Sequence, residues 1–354
     1  MVKKRFNALV LVWRAARRLA GCSTKRGPVR VLLGNAALVA RRSLYELTSI
    51  LPNGGVAWYH DAVSKTFAQR LNSALEASGS LVCVGLDPDP NKLPKDLGPD
   101  AGRIHAFDRR IIDATHDIAA AYKPQIAFYS ALGAEDQLVS GIRHIRERAP
   151  NALVILDAKR GDIGNTAEAY AREAFDRYGA DAVTINPYMG EDSVRPFVSR
   201  QDKGALILCR TSNLGGKDFQ NLMLDGLPLY RHVARRAAGH WNELGNVMLV
   251  VGATVPQEMA ELRAAHPELP FLVPGIGAQN GDLQAVLSAG LDSRGMGLLI
   301  SSSRAIIYAD GGSAAGIRAA AADLRTQINS GRALKRALDD AAIDPQRRSI
   351  GGGG

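Results

Sequence analysis

From about residue 81 the chain alternates short apolar runs with amphipathic stretches. The runs are Leu81–Leu86, Ala120–Lys123, Leu153–Lys159, Ala182–Ile185, Ala205–Cys209, Val247–Val251, Phe271–Val273 and Gly297–Ile300. Each has strand length, and helical spacing returns between them at Ala134–Arg148, Thr166–Tyr178, Leu229–Leu244 and Asp282–Ser288. Eight strands alternating with helices over roughly 250 residues predict a (β/α)8 TIM barrel. An open doubly wound sheet is the weaker alternative, because no G-x-G-x-x-G follows the first strand. In a barrel, chemistry is expected where strands end, at the C-terminal face. Thr66–Ala77 sets Phe67, Leu71 and Leu75 at helical spacing ahead of the first strand. It is expected to close the barrel bottom.

The two ends of the chain break this pattern. Residues 1–60 hold 11 Lys/Arg and a single acid, Glu46. The remainder holds 33 Lys/Arg and 34 Asp/Glu, so the net charge of +9 belongs to the extension. The charge therefore says nothing about the partners of the main domain. An Arg-rich, acid-poor start is a feature of some organelle-targeting segments, and Leu19-Ala20-Gly21-Cys22 mimics a lipoprotein cleavage box. Arg14, Arg17 and Arg18 interrupt what would be the apolar core of such a signal. The extension, residues 1–62, is expected to be disordered or not native. After Met1 the next methionine is Met189, and the native product is expected to start near Val63 through an alternative start codon. The barrel is drawn over residues 63–335. From about Gly331 the chain turns polar, and a mobile tail is expected over 336–354.

Composition narrows the class. The 46% hydrophobic and 22% charged content is that of a globular domain. Three scattered cysteines, Cys22, Cys83 and Cys209, cannot make a disulfide framework or a zinc site, and they fit a reducing cytoplasm. No run of about 18 apolar residues predicts a membrane span. The histidines lack metal-ligand spacing.

Asp157 and Lys159 are two apart at a strand end. Period-two geometry puts both on one face, which in a barrel is the interior. Opposite charges turned inward need a purpose or a partner. Asp162 follows past Gly161, and Lys123 ends another strand. Together they form a candidate Lys–Asp–Lys–Asp array. A buried ion-pair network that only specifies the fold is the plain alternative. The second lysine and the following Arg-Gly-Asp-Ile-Gly-Asn-Thr favour chemistry.

The segment 157–167, Asp-Ala-Lys-Arg-Gly-Asp-Ile-Gly-Asn-Thr-Ala, resembles the signature of the orotidine 5'-phosphate decarboxylase family, in its longer bacterial subgroup, type 2. The resemblance runs from about Phe67 to Tyr308. It includes Val84-Gly85-Leu86-Asp87-Pro88-Asp89-Pro90, Ala121-Tyr122-Lys123-Pro124-Gln125 and Pro274-Gly275-Ile276-Gly277-Ala278-Gln279. It implies decarboxylation of orotidine 5'-phosphate to UMP with no cofactor and no metal. Lys159 would protonate C6 of the pyrimidine as carbon dioxide leaves. Asp157 would sit beside the substrate carboxylate, and Lys123 within the charged array near the ribose. Asp162 and Thr166 would serve the site of the other subunit of a homodimer. Asp87 would bind ribose hydroxyls, and Ser212 the pyrimidine.

Loops after the seventh and eighth strands are the common phosphate site of a barrel. Here they are Pro274 to Gln279 and Ser301 to Arg304, with glycines that let backbone N–H groups approach an anion. By resemblance Gln279 and Arg304 contact the phosphate, with the Ser303 N–H nearby. Asn280-Gly281 departs from the expected Gly-Gly, which bears on loop motion and not on chemistry. Asn213 to Asp218, polar and glycine-rich, is a candidate lid.

Two rivals stand beside this reading. A barrel of the same superfamily can use Mg²⁺ with a D-x-K-x-x-D signature as a sugar-phosphate lyase or aldolase. Alternatively, the basic extension tethers the barrel to nucleic acid or an anionic membrane, neither of which catalysis would require.

Overall fold

The structure is a computed structural model that describes residues 65–98, 102–276 and 281–343. The basic extension and the expected start at Val63 lie outside the described residues.

Eight parallel strands close a barrel: β1 (Val82–Leu86), β2 (Ala121–Pro124), β3 (Leu153–Arg160), β4 (Ala182–Ile185), β5 (Gly204–Arg210), β6 (Val247–Val251), β7 (Phe271–Pro274) and β8 (Leu298–Ser302). Each pairs with its neighbours in sequence, and β8 pairs with β1. The strands are buried on both faces, which is why they read as continuous apolar runs. All eight predicted strands are present, with ends shifted by no more than two residues.

Helix α1 (Phe67–Ser78) begins with a reciprocal cap between Thr66 and Gln69. It ends at Gly79, whose φ of 56° suits glycine. Its buried face, Phe67, Leu71, Ala74 and Leu75, covers the barrel bottom. The Phe67 ring lies where a side chain on Gly204 would be, 2.4 Å from the position of a Cβ. Asp181 ties this end together: it accepts from Val154 N at 2.7 Å and pairs with Arg70 and Arg146.

The outer helices are α2 (Arg103–Thr115), α3 (Ile126–Ser130), α4 (Glu135–Arg148), α5 (Gly164–Arg172), α6 (Glu191–Val198), α7 (Leu229–Ala238), α8 (Pro256–Ala265), α9 (Leu283–Gly290), α10 (Arg304–Ile307) and α11 (Ala314–Ile343). Helix α7 is shorter than the spacing predicts, because Gly239 interrupts it before buried Trp241. Helix α5 begins two residues early and passes into a π-helical turn at Glu173–Arg177. There Glu173 pairs with Arg160.

The boundary drawn at residue 335 falls inside a helix. Helix α11 runs through Gly331 to Ile343. The polar run 332–340 is rich in helix formers. Arg332 and Arg336 anchor it by donating to the carbonyls of Gly295 and Arg294.

Candidate active site

The C-terminal ends of β2, β3 and β4 converge on one carboxylate. Asp157 is buried at the end of β3. Lys123, buried at the end of β2, donates to its Oδ2 at 2.8 Å. Lys159 donates to its Oδ1 at 2.6 Å. Thr184, from β4, donates to the same Oδ1 at 2.8 Å. Burial alone would raise the Asp157 carboxyl, but the two ammonium groups outweigh it and hold it well below the usual carboxylate range. Burial likewise works against the Lys123 ammonium, and the Asp157 and Asp87 carboxylates overcome it, keeping it charged beyond the ordinary lysine range.

Lys159 reaches this cluster by a route that simple alternation does not describe. Its φ is 46°, in the left-handed region, and the pairing of β3 with β4 slips between Leu156 and Arg160. Thr184 Oγ1 accepts from Ala158 N at 3.0 Å and from Lys159 N at 2.9 Å, filling the gap the slip opens. Asp157 thus stays on the buried face while the Lys159 side chain, 48% exposed, stands at the open end of the barrel.

The fourth expected member is absent from the cluster. Asp162 lies past the end of β3, and its Oδ1 accepts from its own neighbour Ile163 N at 2.8 Å. Thr166 is exposed on α5. A groove of about 880 Å³ between α5 and α6 is lined by Ile163, Thr166, Arg172, Asp192 and Arg195 among others.

Asp87 follows β1. Its Oδ2 accepts from Ser303 Oγ, and its buried Oδ1 has no hydrogen-bond partner among the described residues. Ser212 follows β5. It is pressed against Gly252, where a Cβ would lie 2.7 Å from Ser212 N, and its carbonyl accepts from Thr254 Oγ1. Pro274 ends β7, and Gly275 turns away from it with a φ of 105°. Arg304, the first residue of α10, is exposed and pairs with no described residue. Gln279 and Asn280 lie outside the described residues.

The sequence alone assigns no role to Thr184 or Tyr308. The Tyr308 hydroxyl donates to Asp87 O at 3.0 Å and accepts from Asp89 N at 2.7 Å. Thr184 carried a faint signal as the one hydroxyl in the apolar run Ala182–Ile185. Among the described residues, no group of three or more His, Cys, Asp or Glu is placed to hold a metal ion.

The family model described as orotidine 5'-phosphate decarboxylase / HUMPS family matches residues 80–319. A protein of Janthinobacterium sp. (strain Marseille) named orotidine 5'-phosphate decarboxylase is 53% identical over 266 residues, covering 75% of this chain and 98% of its own. A protein of the same name from Cellvibrio japonicus is 52% identical over 274 residues, covering 76% and 100%. The solved structure of Leishmania donovani OMP decarboxylase superposes with a TM-score of 0.68 at 44% identity, over 76% of this chain and 99% of that one.

Proposed function

The chain belongs to the orotidine 5'-phosphate decarboxylase family and converts orotidine 5'-phosphate to UMP in pyrimidine nucleotide synthesis, and we propose that Lys159 is the proton donor of that reaction. The C6–carboxylate bond breaks, its electron pair stays on C6, and carbon dioxide leaves. A proton then passes from Lys159 Nζ to C6. The observation that supports this role is an ammonium at the open barrel end, anchored 2.6 Å from a buried carboxylate. Fixed charges of this kind stabilise a developing carbanion without reorganising during the reaction. Asp157 lies beside the substrate carboxylate, where two like charges about 4 Å apart repel by on the order of 4 kcal/mol at an effective dielectric near 20.

Lys123 holds Asp157 from the ribose side, and Asp87 takes the ribose hydroxyls. Ser212 meets the pyrimidine. Pro274, Gln279, Ser303 and Arg304 form the phosphate end. The exposed guanidinium of Arg304 offers a two-pronged contact to that anion. Both oxygens of Asp157 are already taken by ammonium groups, which speaks against Asp157 as a Mg²⁺ ligand.

A homodimer with shared sites completes this arrangement. Among the described residues, Asp162 bonds only within its own turn. Ile163, Tyr188 and Met189 expose apolar surface from the ends of the same strands, as an isologous interface requires. A cytoplasmic location fits two buried, unpaired cysteines, Cys83 and Cys209. No helix among the described residues is long and apolar enough to cross a membrane.

The test is loss of orotidine 5'-phosphate absorbance on adding purified protein in EDTA. Turnover that continues undiminished supports the assignment. Turnover that requires added Mg²⁺ returns the rival lyase chemistry.

A further inference from the structure

The phosphate end and the ribose end of the site are joined by protein as well as by substrate. Arg304 opens α10 and stands exposed at the phosphate end. Residues on either side of the rest of that helix both grip the loop that carries Asp87. On one side, Ser303 Oγ donates to Asp87 Oδ2. On the other, the Tyr308 hydroxyl donates to Asp87 O at 3.0 Å and accepts from Asp89 N at 2.7 Å.

The surroundings leave this link little freedom. A Cβ on Gly85 would lie 2.6 Å from Ser303 Cβ, so the Ser303 side chain packs directly on the β1 backbone. The Tyr308 ring stacks on Phe107 of α2, with centroids 5.6 Å apart. Beyond it, Gly312 packs so closely on Pro94 that a Cβ would come within 2.7 Å of that ring. Burial pushes the Tyr308 phenol up to about 12, so its hydroxyl keeps its proton throughout the working range. Such a hydroxyl has one proton to give and lone pairs to accept with, and both functions are used on the Asp87 loop.

We propose that Tyr308 is a positioning residue for the decarboxylation, fixing Asp87 so that the phosphate grip at Arg304 and the ribose grip at Asp87 move as one unit. The proposal rests on the assignment of those two ends given above. Tyr308 touches no reacting atom. It acts through Asp87, and through α10 it makes occupation of one subsite favour the geometry of the other. Coupling of this kind is reciprocal, so it reads out in binding as well as in turnover.

Tyr308→Phe removes both hydrogen bonds and keeps the ring against Phe107. Four proteins are compared: wild type, Tyr308→Phe, Asp87→Ala and the double variant. For each, kcat and KM are measured with orotidine 5'-phosphate, and the affinities of UMP and uridine by calorimetry. Thermal melting checks that all four are folded. The expected loss in kcat/KM for Tyr308→Phe is about tenfold, the size of one well-placed hydrogen bond. UMP affinity falls about threefold more than uridine affinity, because only UMP engages both ends. In the Asp87→Ala background the same substitution costs less than about twofold, since the group it positions is gone.

Equal losses for UMP and uridine overturn the coupling. A full tenfold loss in the Asp87→Ala background overturns the route through Asp87. Wild-type protein that binds UMP but does not decarboxylate its precursor would instead sink the catalytic assignment, and the comparison of UMP with uridine still tests the link.

Discussion

Lys159 Nζ lies 2.6 Å from Asp157 Oδ1 across a backbone that turns left-handed at Lys159 itself, with φ at 46°. A side chain other than glycine in that region costs on the order of 1 kcal/mol or more. The cost is offset by Thr184, which receives both N–H groups of the turn. The turn separates the two charges into a buried acceptor and an exposed donor. Lys159→Ala removes the donor and leaves the turn. Turnover is expected to fall by at least about 100- to 10,000-fold, the range for loss of a general acid. Steady-state assay of the purified, folded variant checks it, and near-normal turnover refutes the role.

Thr184 supports both halves of that arrangement. Thr184→Val keeps the shape and deletes the hydroxyl. Two N–H groups then lose their acceptor, and Asp157 loses one of its three side-chain donors. An unsatisfied buried group costs about 1–3 kcal/mol. The variant is expected to melt lower and to turn over more slowly, with KM nearly unchanged because Thr184 would not touch substrate. Stability and kcat that both match wild type would remove Thr184 from the account.

The legible parts of this molecule were those written in local pattern. Val247–Val251 and Ala182–Ile185 are runs whose predicted bounds coincide with strands β6 and β4, because burial on both faces demands unbroken apolar sequence. Asp157 and Lys159 stood out because charge at a strand end is costly without a purpose. The left-handed turn at Lys159 was not legible, since Ala158-Lys159-Arg160 contains no glycine to announce it. Thr184 and Tyr308 were not legible either. Each acts on a residue distant in sequence, 27 positions away for Thr184 and 221 for Tyr308. Only closure of the barrel brings them there. The chain beyond Gly331 reads as a tail because its outer face is polar, yet its arginines find carbonyl partners at residues 294 and 295.

The barrel bottom offers a test of packing. Gly204 opens β5 directly over the Phe67 ring, which is 1% exposed. Gly204→Ala places a methyl group 2.4 Å from that ring. Overpacking of this kind costs about 1–3 kcal/mol. Urea unfolding is expected to show a lower midpoint for Gly204→Ala, partly restored when Phe67→Leu makes room. A loss that Phe67→Leu deepens would mean that the two residues do not compete for the same space.

Asp108 gives a pH prediction. It is buried on α2, and its Oδ2 accepts from the Tyr129 hydroxyl at 3.0 Å. Burial pushes its carboxyl up to about 8, against the opposing pull of the Tyr129 hydrogen bond and with a lesser further push from Asp87. The folded protein therefore holds a proton that the unfolded chain releases near pH 4. The stabilisation is fully present below about pH 4, declines as pH rises, and is gone above about pH 8. Asp108→Asn is neutral at every pH and nearly isosteric. Its melting temperature is expected to change less than that of wild type between pH 5 and pH 8, and to exceed wild type at pH 8. A variant with the same pH slope as wild type would show that Asp108 is ionised in the folded state.

Asp162 carries the oligomeric prediction. Within its own chain its carboxylate bonds to Ile163 N and not to Lys159, though the two residues are three apart. If Asp162 completes the site of a second copy, Lys159→Ala and Asp162→Ala inactivate different halves of one composite site. Each homodimer alone is then impaired at both of its sites. A mixed dimer holds one site in which both residues are substituted and one in which both are native. Random reassociation of equal amounts makes half the dimers mixed, so about a quarter of wild-type activity is expected to return. The measurement is turnover before and after the two variants are dissociated together and reassembled, with dimer formation followed by sedimentation. If dimers form and activity stays at the level of the separate variants, Asp162 works within its own subunit and the shared site is wrong.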